Sequence, residues 1–557
     1  MNQIPVSELI VQFMQRIGVD TLFGMPGAHI LPVYDALYDA PVRTVLVKHE
    51  QGAAFMAGGF ARAGERIGAC ITTAGPGATN LVTGIANAYA DKQPVLVITG
   101  ETSTHIFGRG GLQESSGEGG SIDQGRLFQG ITRYHKIVER TDYLANVLNR
   151  AARILLSDQP GPVLLSFPYN VQRERVDAAL LEQVSTRRAT RVGGEGIPAD
   201  SRRLAELLLG ARQPVIVAGY GCVRAGAQDA VARLAERLNI PVTTSLKAKG
   251  VISERSALSL GSLGVTSSDH AYHFIREHAD LVLFLGAGFN ERTSYLWDDK
   301  LLDARVIVQV DHDPEQIEKV FQADLAIHGD IGEVLDGVHG ALDRHAIAPG
   351  GPAREAMGQL AAPEERKDGN AIFPRGVALV EHFFRCLERD FPRELMVFDD
   401  NILFAQNFFN VSAQNRYYSN SGISSLGHAI PAAIGARFAR DVPTFAILGD
   451  GGFQMCCMEL MTAVNYRVPL NVVLFNNATM GLIRKNQHQQ YQDRFIDCDF
   501  VNPDYQRLAE SFGIDYRRVT SEDEMEAAFA SLDLIGGINL IEIPIDKDVF
   551  PNYHSRR

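Results

Sequence analysis

The sequence has few cysteines and no long apolar run, and these two absences exclude several protein classes. Six cysteines are scattered over 557 residues, and only Cys456 and Cys457 are adjacent, so neither a disulfide framework nor a zinc-binding spacing is present. No stretch approaches the roughly 18 unbroken apolar residues that a membrane span needs. No block of Lys and Arg is long enough to follow a nucleic-acid backbone, and the formal net charge is −13. We therefore expect neither a membrane nor a nucleic acid as a partner.

The first twenty residues also lack the pattern of a signal peptide. The stretch MNQIPVSELIVQFMQRIGVD interleaves polar and apolar residues and has no basic start followed by an apolar run. It predicts an amphipathic first helix. Together with the scattered cysteines, this pattern predicts a cytoplasmic protein.

The length and the alternation of elements predict an α/β protein with three doubly wound parallel-sheet domains. At 557 residues the chain is too long for one core, and 45% apolar with 21% charged residues is typical of globular proteins. Short β-rich runs alternate with helical runs, which is the pattern of parallel sheets. Polar or Pro- and Gly-rich stretches at Ser185–Ile197 and Ala346–Asn370 predict linkers. The expected domains are residues 1–180, 195–345 and 370–546.

The richest stretch of the sequence is FAILGDGGFQMCCMELMTAVNYRVPLNVVLFNNATMGL, which runs from Phe445 to Leu482. An apolar strand at 445–448 ends in Gly449-Asp450-Gly451-Gly452, a turn whose missing side chains let backbone amides approach a phosphate. A helix is predicted at 455–466, and a second apolar strand at 471–475 leads to Asn476-Asn477. Because the carboxyl ends of parallel strands share one edge of a sheet, Asp450 and Asn477 should lie side by side.

These two side chains carry the oxygen atoms that a hard divalent cation prefers. The carboxylate of Asp450, the amide oxygen of Asn477 and one loop carbonyl would suit Mg²⁺, which binds few protein ligands together with substrate phosphates. The alternative is a plain pair of strand-to-helix turns. The spacing favours a site for a diphosphate held through a metal.

The Gly-Asp-Gly, helix, Asn-Asn arrangement resembles the thiamin diphosphate motif of the superfamily that contains pyruvate oxidase, acetolactate synthase and 2-oxo acid decarboxylases. The resemblance covers essentially the whole chain and implies pyrimidine-binding, middle and diphosphate-binding domains in that order. It implies thiamin diphosphate and Mg²⁺ as cofactors, with Asp450, Asn477 and the carbonyl of Thr479 as metal ligands.

The segment KHEQGAAFMAGGFAR resembles the glutamate segment of acetolactate synthases and makes Glu50 the first catalytic candidate. Thiamin catalysis requires a carboxylate that stabilises the imino tautomer of the cofactor's aminopyrimidine, and an acid whose pKa is raised in an apolar pocket suits that task. Taken alone, Glu50 also fits a structural role, because Glu is favoured in the first turn of a helix.

Other segments are similar to cofactor-contacting loops of the superfamily, although each is also an ordinary tight turn by composition. The resemblance implies that Leu426 holds the two thiamin rings folded; the alternative is a core leucine. The cofactor-binding residues implied in this way are Pro26, Gly27, Asn80, Asn401, Ser424, Leu426, Gly449, Gly451, Gly452, Asn477, Met480, Gly481 and Leu482.

Two further residues are candidates for handling protons on the substrate. His29 lies in a Gly-Ala-His loop that is similar to one in benzaldehyde lyase, a carboligase of the superfamily; the alternative is a loop histidine bonded to backbone. Gln113 lies in a Gln-Glu pair like that of acetolactate synthases. The glycine-rich stretch at 108–128 is several residues longer than expected, so either Gln113 reaches the site or the site is remodelled.

The sequence departs from acetolactate synthases where an acceptor carboxylate would be bound. Gly288 stands at the position of the expected arginine, Arg292 follows a turn later, and Asn486 replaces the expected tryptophan. Loss of a guanidinium removes bidentate carboxylate recognition, which favours an aldehyde or ketone acceptor. The middle domain resembles one that carries FAD; FAD, ADP or no ligand remain open for it.

The leading hypothesis is therefore a carboligase that decarboxylates a 2-oxo acid such as pyruvate and transfers the acyl unit to a carbonyl acceptor. One alternative is a simple 2-oxo acid decarboxylase that releases an aldehyde. Another is a non-catalytic subunit that binds thiamin diphosphate or a nucleotide, which the presence of Glu50, Asp450 and Asn477 disfavours. The resemblance also implies a homodimer or homotetramer.

Overall fold

The computed structural model of the chain describes residues 2–187, 196–267, 269–303, 305–345, 372–373, 375–412 and 415–553. Both predicted linkers fall largely outside these ranges: residues 188–195 of the first linker and all of 346–370 of the second are not described. The predicted domain boundaries at 195 and 370 therefore lie outside the described residues, and the exact boundaries stay a prediction.

The first domain contains a six-stranded parallel sheet with the strand order β3-β2-β4-β5-β7-β6. A short antiparallel pair, β1 with β8, joins the two ends of the domain. The strands are β1 Gln3–Pro5, β2 Thr21–Gly24, β3 Arg43–Leu46, β4 Gly68–Thr72, β5 Val95–Glu101, β6 Tyr134–Ile137, β7 Val163–Pro168 and β8 Arg175–Asp177. The helices are α1 Val6–Arg16, α2 Leu31–Tyr38, α3 Glu50–Gly64, α4 Pro76–Thr79, α5 Val82–Ala90, α6 Gln124–Gln129, α7 Leu144–Leu155 and α8 Tyr169–Arg173.

The second domain has the same architecture with the strand order β11-β10-β9-β12-β13-β14. Its strands are β9 Pro214–Ala218, β10 Val242–Thr244, β11 Ser259–Ser262, β12 Leu281–Leu285, β13 Val306–Asp311 and β14 Leu325–His328. Its helices are α9 Ile197–Gly210, α10 Tyr220–Arg224, α11 Gln228–Leu238, α12 His270–His278 and α13 Ile331–Arg344.

The third domain repeats the pattern with the strand order β16-β15-β17-β18-β20-β19. Its strands are β15 Met396–Asp399, β16 Arg416–Ser419, β17 Thr444–Gly449, β18 Leu470–Asn476, β19 Asp515–Arg518 and β20 Ile538–Pro544. Its helices are α14 Ala378–Asp390, α15 Leu403–Phe408, α16 Ala429–Ala439, α17 Asp450–Cys456, α18 Leu460–Tyr466, α19 Gly481–Tyr491, α20 Tyr505–Phe512 and α21 Glu522–Ser531. The predicted fold class, three parallel-sheet α/β domains, is confirmed.

The central strands are predominantly apolar because helices cover both faces of each sheet. All residues of β7, β9 and β12 are buried, as expected for parallel sheets. Among the helices of the described ranges, none combines the length and the apolarity that crossing a bilayer requires.

One predicted element starts at a different place. The helix after the Gly449 strand end begins at Asp450 and not at Met455, and a short 3₁₀ turn at Cys457–Glu459 separates α17 from α18. The two glycines that predicted an open turn are therefore in the first turn of a helix. Packing requires one of them, because a Cβ placed on Gly452 would lie 2.5 Å from Oδ2 of Asp400.

The first and third domains are held together by α3 and α16, which cross with their backbones in contact. A Cβ placed on Gly59 of α3 would lie 2.0 Å from the carbonyl oxygen of Ala432, and one on Gly435 of α16 would lie 2.0 Å from that of Met56. One hydrophobic core runs through both helices and both sheets. The approach requires glycine on each helix, and it fixes the position of α3, whose first residue is Glu50.

Replacing Gly435 with alanine should weaken the packing between these two domains. Because the added methyl would meet a backbone carbonyl, which has little freedom to move, we expect Gly435→Ala to lower the free energy of unfolding by about 1–3 kcal/mol. Urea unfolding measures this change. The matched control is Gly340→Ala in α13, where an added Cβ meets nothing within 4 Å, so that helix propensity alone leaves stability equal or higher. Equal stability of the two variants would contradict the tight crossing.

Candidate active site

The carboxylate of Asp450 lies at the carboxyl-terminal end of the third sheet, next to the ends of two paired central strands, β17 and β18. β17 and β18 pair in register up to Gly449 and Phe475, which places Asp450 beside Asn476 and Asn477. Asp450 is 1% exposed, and its Oδ2 accepts hydrogen bonds from the Ala478 amide at 2.6 Å and from Nδ2 of Asn502 at 2.8 Å. Burial raises the pKa of Asp450 above its ordinary value, and the hydrogen bonds oppose that rise.

Asn502 is a residue of this site that the sequence analysis missed. Its Nδ2 lies 2.8 Å from Oδ2 of Asp450 and also 2.8 Å from Oδ1 of Asn476, so it joins the two strand ends. Asn502 lies in a loop without a motif, 52 positions after Asp450. Only the folded chain brings it to the site.

The loop after β18 places the third predicted metal ligand next to the first two. Oδ1 of Asn477 accepts a hydrogen bond from the Thr479 amide at 3.3 Å, and the Thr479 hydroxyl donates to the Cys498 carbonyl at 2.9 Å. The loop is compact, since a Cβ placed on Gly451 would lie 2.7 Å from Sδ of Met480. Asp450, Asn477 and Thr479 therefore cluster at the carboxyl ends of β17 and β18. Their role as metal ligands stays a prediction.

The loop that carries Leu426 is held by a buried aspartate that the sequence analysis did not single out. Asp400 accepts hydrogen bonds from the amides of Gly427 at 2.7 Å and His428 at 3.0 Å, and burial raises its pKa to about 6. Next to it, Nδ2 of Asn401 donates to the carbonyl of Ser424 at 2.8 Å. Asn401 and Ser424 have φ values of +65° and +57°, a left-handed conformation that is uncommon for residues other than glycine.

On the first domain, Glu50 is half-buried at the start of α3 and is oriented by a neighbouring loop. Nδ2 of Asn80 donates to Oε2 of Glu50 at 2.9 Å. His49 caps the helix, because its Nδ1 accepts from the Gln51 amide at 3.1 Å. The structure thus brings together Glu50 and Asn80, two residues that the sequence analysis assigned to catalysis and to cofactor binding.

A second residue that the sequence analysis missed, Glu459, connects the third domain to the start of α3 in the first domain. Its buried carboxylate, nine positions after Asp450, accepts from the amides of Lys48 at 3.1 Å and His49 at 2.9 Å. Burial raises its pKa, and these hydrogen bonds oppose the rise. The segment that begins with Asp450 therefore holds the backbone immediately before Glu50.

His29 and Gln113 form a pair at the same edge of the first sheet. Nδ1 of His29 lies 3.2 Å from Oε1 of Gln113, and the Thr73 hydroxyl donates to the same oxygen at 3.4 Å. The pair is within hydrogen-bond distance, so the long loop at 108–128 does deliver Gln113 to His29. Pro26 and Gly27 precede this histidine, and a Cβ placed on Gly27 would lie 2.5 Å from Cβ of Thr73. The catalytic roles of His29 and Gln113 stay predictions.

The positions that depart from acetolactate synthases lie at exposed or polar places. Gly288 and Arg292 are exposed, whereas Asn486 is half-buried. Burial raises the pKa of Asp399 to about 7, and the hydrogen bonds that Asp399 accepts from the Tyr417 hydroxyl and the Ile402 amide oppose that rise. Lys485, next to Asn486, is buried, and burial lowers its pKa to about 8.

A separate cavity of about 620 Å³ lies where the three domains meet, and none of the candidate site residues lines it. Basic residues from all three domains face it, and several belong to ion pairs between domains. Lys247 pairs with Asp91, and Lys92 pairs with Asp313. The basic residues lining it are Arg62, Arg66, Lys92, Arg224, Lys247, Lys249 and Arg416.

Comparison with known proteins identifies all three domains. Residues 4–119 match the N-terminal TPP-binding domain of thiamine pyrophosphate enzymes, residues 201–338 match their central domain, and residues 400–543 match their C-terminal TPP-binding domain. A probable acetolactate synthase large subunit of Methanocaldococcus jannaschii is 32% identical over 97% of this chain and 92% of its own length. The acetolactate synthase isozyme 2 large subunit of Escherichia coli is 31% identical over 97% of this chain and 95% of its own. An acetolactate synthase large subunit of Parasynechococcus marenigrum is 34% identical over 94% of this chain and 84% of its own length.

Replacing Asn502 should weaken thiamin diphosphate binding, because Asn502→Ala removes the side-chain donor that Oδ2 of Asp450 and Oδ1 of Asn476 share and leaves them only the Ala478 amide. We expect a loss of about 1–3 kcal/mol of binding free energy. The measurement is the rise in Tm that thiamin diphosphate causes at fixed concentration. Gln506→Ala, which removes an exposed contact to Glu510 on α20, is the control and should keep the full rise. An undiminished rise in the Asn502 variant would contradict its placement at the cofactor.

Proposed function

Because the chain belongs to the thiamine pyrophosphate enzymes of the acetolactate synthase type, we propose that it decarboxylates a 2-oxo acid, with pyruvate as the first candidate, and transfers the acyl unit to a carbonyl acceptor. Membership supports a thiamin diphosphate-dependent carboligase; the donor and the acceptor are our proposal. The observation that carries it is the link through Glu459 between the Asp450 segment and the backbone before Glu50. The segment of the third domain that carries Asp450 thus also supports the backbone before Glu50 in the same chain.

We propose Mg²⁺ as the metal, held by the carboxylate of Asp450, the amide oxygen of Asn477 and the carbonyl of Thr479. The donor set fits, because all three are hard oxygen ligands. The buried carboxylate fits as well: burial raises the pKa of Asp450, and a divalent cation at this position would favour the charged form. Gly451 and Gly452 let Met480 and Asp400 pack closely against the first turn of α17, and the backbone amides of such a helix start suit a diphosphate.

When bound, thiamin diphosphate supplies the nucleophilic carbon that attacks the 2-oxo acid and takes up the electron pair left when CO₂ departs. Glu50 would hold a proton at the distal nitrogen of the cofactor's pyrimidine ring, and Asn80 would keep Oε2 of Glu50 in position through its hydrogen bond at 2.9 Å. Leu426 would pack between the two rings. The remaining cofactor contacts would come from the residues predicted from the sequence.

His29 and Gln113 would act on the acceptor oxygen. As a pair at 3.2 Å, the imidazole can hold or donate a proton while the amide fixes its orientation. Which tautomer His29 adopts depends on this contact, because the amide oxygen of Gln113 accepts only from a protonated Nδ1. A protonated Nδ1 leaves Nε2 as the nitrogen that exchanges a proton with the substrate.

We propose an aldehyde or ketone as the acceptor in place of a second 2-oxo acid. Gly288 offers no guanidinium for an acceptor carboxylate, and the nearest arginine along the chain, Arg292, lies four positions later and is exposed. Without a bidentate partner, a carboxylate gains little over a neutral carbonyl compound. Acetolactate formation from two pyruvates is the competing product.

A second copy of the chain would complete the site. Large apolar side chains beside the cofactor-binding residues of the third domain are strongly exposed: Ile423 is 45%, Met455 60%, Met458 55% and Ile483 48% exposed. In the first domain, Leu112 beside Gln113 is 73% exposed. Such patches next to functional residues mark protein interfaces, which supports a homodimer or homotetramer.

The cavity between the domains is our candidate for the FAD or ADP position. The carboxyl ends of β9, β10, β13 and β14 reach it through Tyr220, Lys247, His312 and His328, and ligands of open α/β sheets bind at such strand ends. The basic residues there would suit a diphosphate. The cavity is lined by none of the predicted catalytic residues, which favours a structural over a redox ligand.

Product analysis tests the proposed reaction. Incubated with pyruvate and either an aldehyde or a ketone, in the presence of thiamin diphosphate and Mg²⁺, the protein should release CO₂ and form a ligation product in matching amounts.

Glu50→Gln should lower turnover by about 10²–10⁴-fold, because it removes the proton-sharing acid. The control Glu139→Gln changes an exposed glutamate of the same domain and should keep full turnover. Free aldehyde as the sole product would favour a simple decarboxylase, and full turnover in the Glu50 variant would refute its role.

A further inference from the structure

The carboxylate of Glu101 lies directly behind the loop that carries Gln113, and nothing in the proposed mechanism uses it. Glu101 is the last residue of β5 and is completely buried. Its Oε1 accepts from the Thr102 amide at 2.8 Å and from the Ser115 amide at 3.0 Å. Its Oε2 is buried and has no hydrogen-bond partner among the described residues. A half-satisfied buried carboxylate is costly, so it needs a physical reason.

The Ser115 amide is the point through which Glu101 reaches Gln113. Oγ of Ser115 donates to the Gln113 carbonyl at 3.1 Å and accepts from the Gly75 amide at 3.0 Å. Gln113 itself has a φ of +57°, which a non-glycine residue adopts only when its surroundings hold it. The side chain held in this way presents Oε1 to Nδ1 of His29 at 3.2 Å.

We propose that Glu101 is a positioning residue for the His29–Gln113 pair: its carboxylate holds Gln113 in place through Ser115, and the hold loosens when Glu101 takes up a proton. The inference rests on the proposed function, because the pair matters only where an acceptor oxygen must be protonated. An ionised carboxylate accepts from the two amides more strongly than a carboxylic acid does. Product formation that depends on the pair should therefore respond to pH through a group that never touches the substrate.

The groups around Glu101 are consistent with a titration near neutral pH. Burial raises the pKa of Glu101 to about 7, the two amide donors oppose this rise, and the charge of Glu114 adds to it. On the other sides, His29 packs its backbone on Gly100, and Pro168 of β7 lies opposite Glu101 without a charge. The Glu114 carboxylate is itself held by the Ser116 hydroxyl and by the amides of Gly108 and Gly111, and these hydrogen bonds keep its pKa below its ordinary value.

Two variants separate the parts of this proposal. Glu101→Ala removes the acceptor, and Glu101→Gln keeps an oxygen for the amides but, like the protonated acid, carries no charge. The control is Glu118→Gln, an exposed glutamate of the same loop. All four proteins are compared as full chains, first without cofactor by amide hydrogen exchange of residues 108–128, and then with cofactor by the ratio of ligation product to free aldehyde between pH 6 and 8.

We expect the amides at 113–115 to exchange at least about tenfold faster in Glu101→Ala than in wild type, because the closed loop opens more often. The product ratio of the wild type should change with a midpoint near pH 7, whereas Glu101→Gln should lack this transition. Any pH dependence left in that variant comes from the groups that contact the substrate. Glu118→Gln should behave like the wild type in both measurements.

Unchanged exchange in Glu101→Ala, or a pH dependence in Glu101→Gln that matches the wild type, would overturn the proposal. If Glu101→Ala does not fold, the glutamine variant alone decides the matter through its pH profile. The exchange measurement needs neither cofactor nor substrate. An absence of ligation product in the wild type would therefore refute the proposed function, while the exchange of residues 108–128 would still test the hold on Gln113.

Discussion

The contact between α3 and α16 determines where Glu50 can be. Two glycines, Gly59 and Gly435, bring the helix backbones so close that any side chain would meet a carbonyl oxygen at 2.0 Å. A helix held in this way cannot shift by a turn or rotate without breaking the core that runs through both domains. At the first residue of α3, Glu459 adds a second restraint by binding the amides of Lys48 and His49. The third domain, which carries Asp450, thus fixes the position of Glu50 in the same chain.

The parts of the structure that repeat a period or a motif could be predicted from the sequence. Apolar strands alternating with helices predicted three parallel sheets, because a strand buried on both faces is predominantly apolar. The Gly-Asp-Gly and Asn-Asn motifs predicted that Asp450 and Asn477 lie side by side, because the carboxyl ends of adjacent parallel strands are neighbours. Gln113 could be named from its Gln-Glu pair, although its position beside His29 could not.

The residues that the sequence did not reveal act through long-range contacts. Asn502, Glu459, Asp400 and Glu101 each bind backbone or side-chain groups that are brought close only by folding. None of them lies in a motif, and buried acids such as Glu459 look like helix-surface glutamates in the sequence. The start of α17 was mispredicted because it also depends on a long-range contact. Glycines disfavour a helix locally, but the close packing of Asp400 against the first turn of α17 requires a glycine at position 452.

The site that emerges divides its work between domains. In the proposed site the third domain would anchor the diphosphate and its metal, and the first domain would supply the carboxylate and the proton-handling pair. The exposed apolar side chains beside these residues favour a second copy of the chain. The central claim is that Glu50 of one copy and Asp450 of another serve the same cofactor.

Subunit complementation tests this claim most directly. Glu50→Gln and Asp450→Asn are each expected to be inactive, and the two variants are produced together so that mixed dimers form. If the site is shared, each mixed dimer has one intact site, so about one quarter of wild-type activity should return with random pairing. If mixed dimers form and no activity returns, the two carboxylates serve one cofactor within a single chain, and the account is wrong.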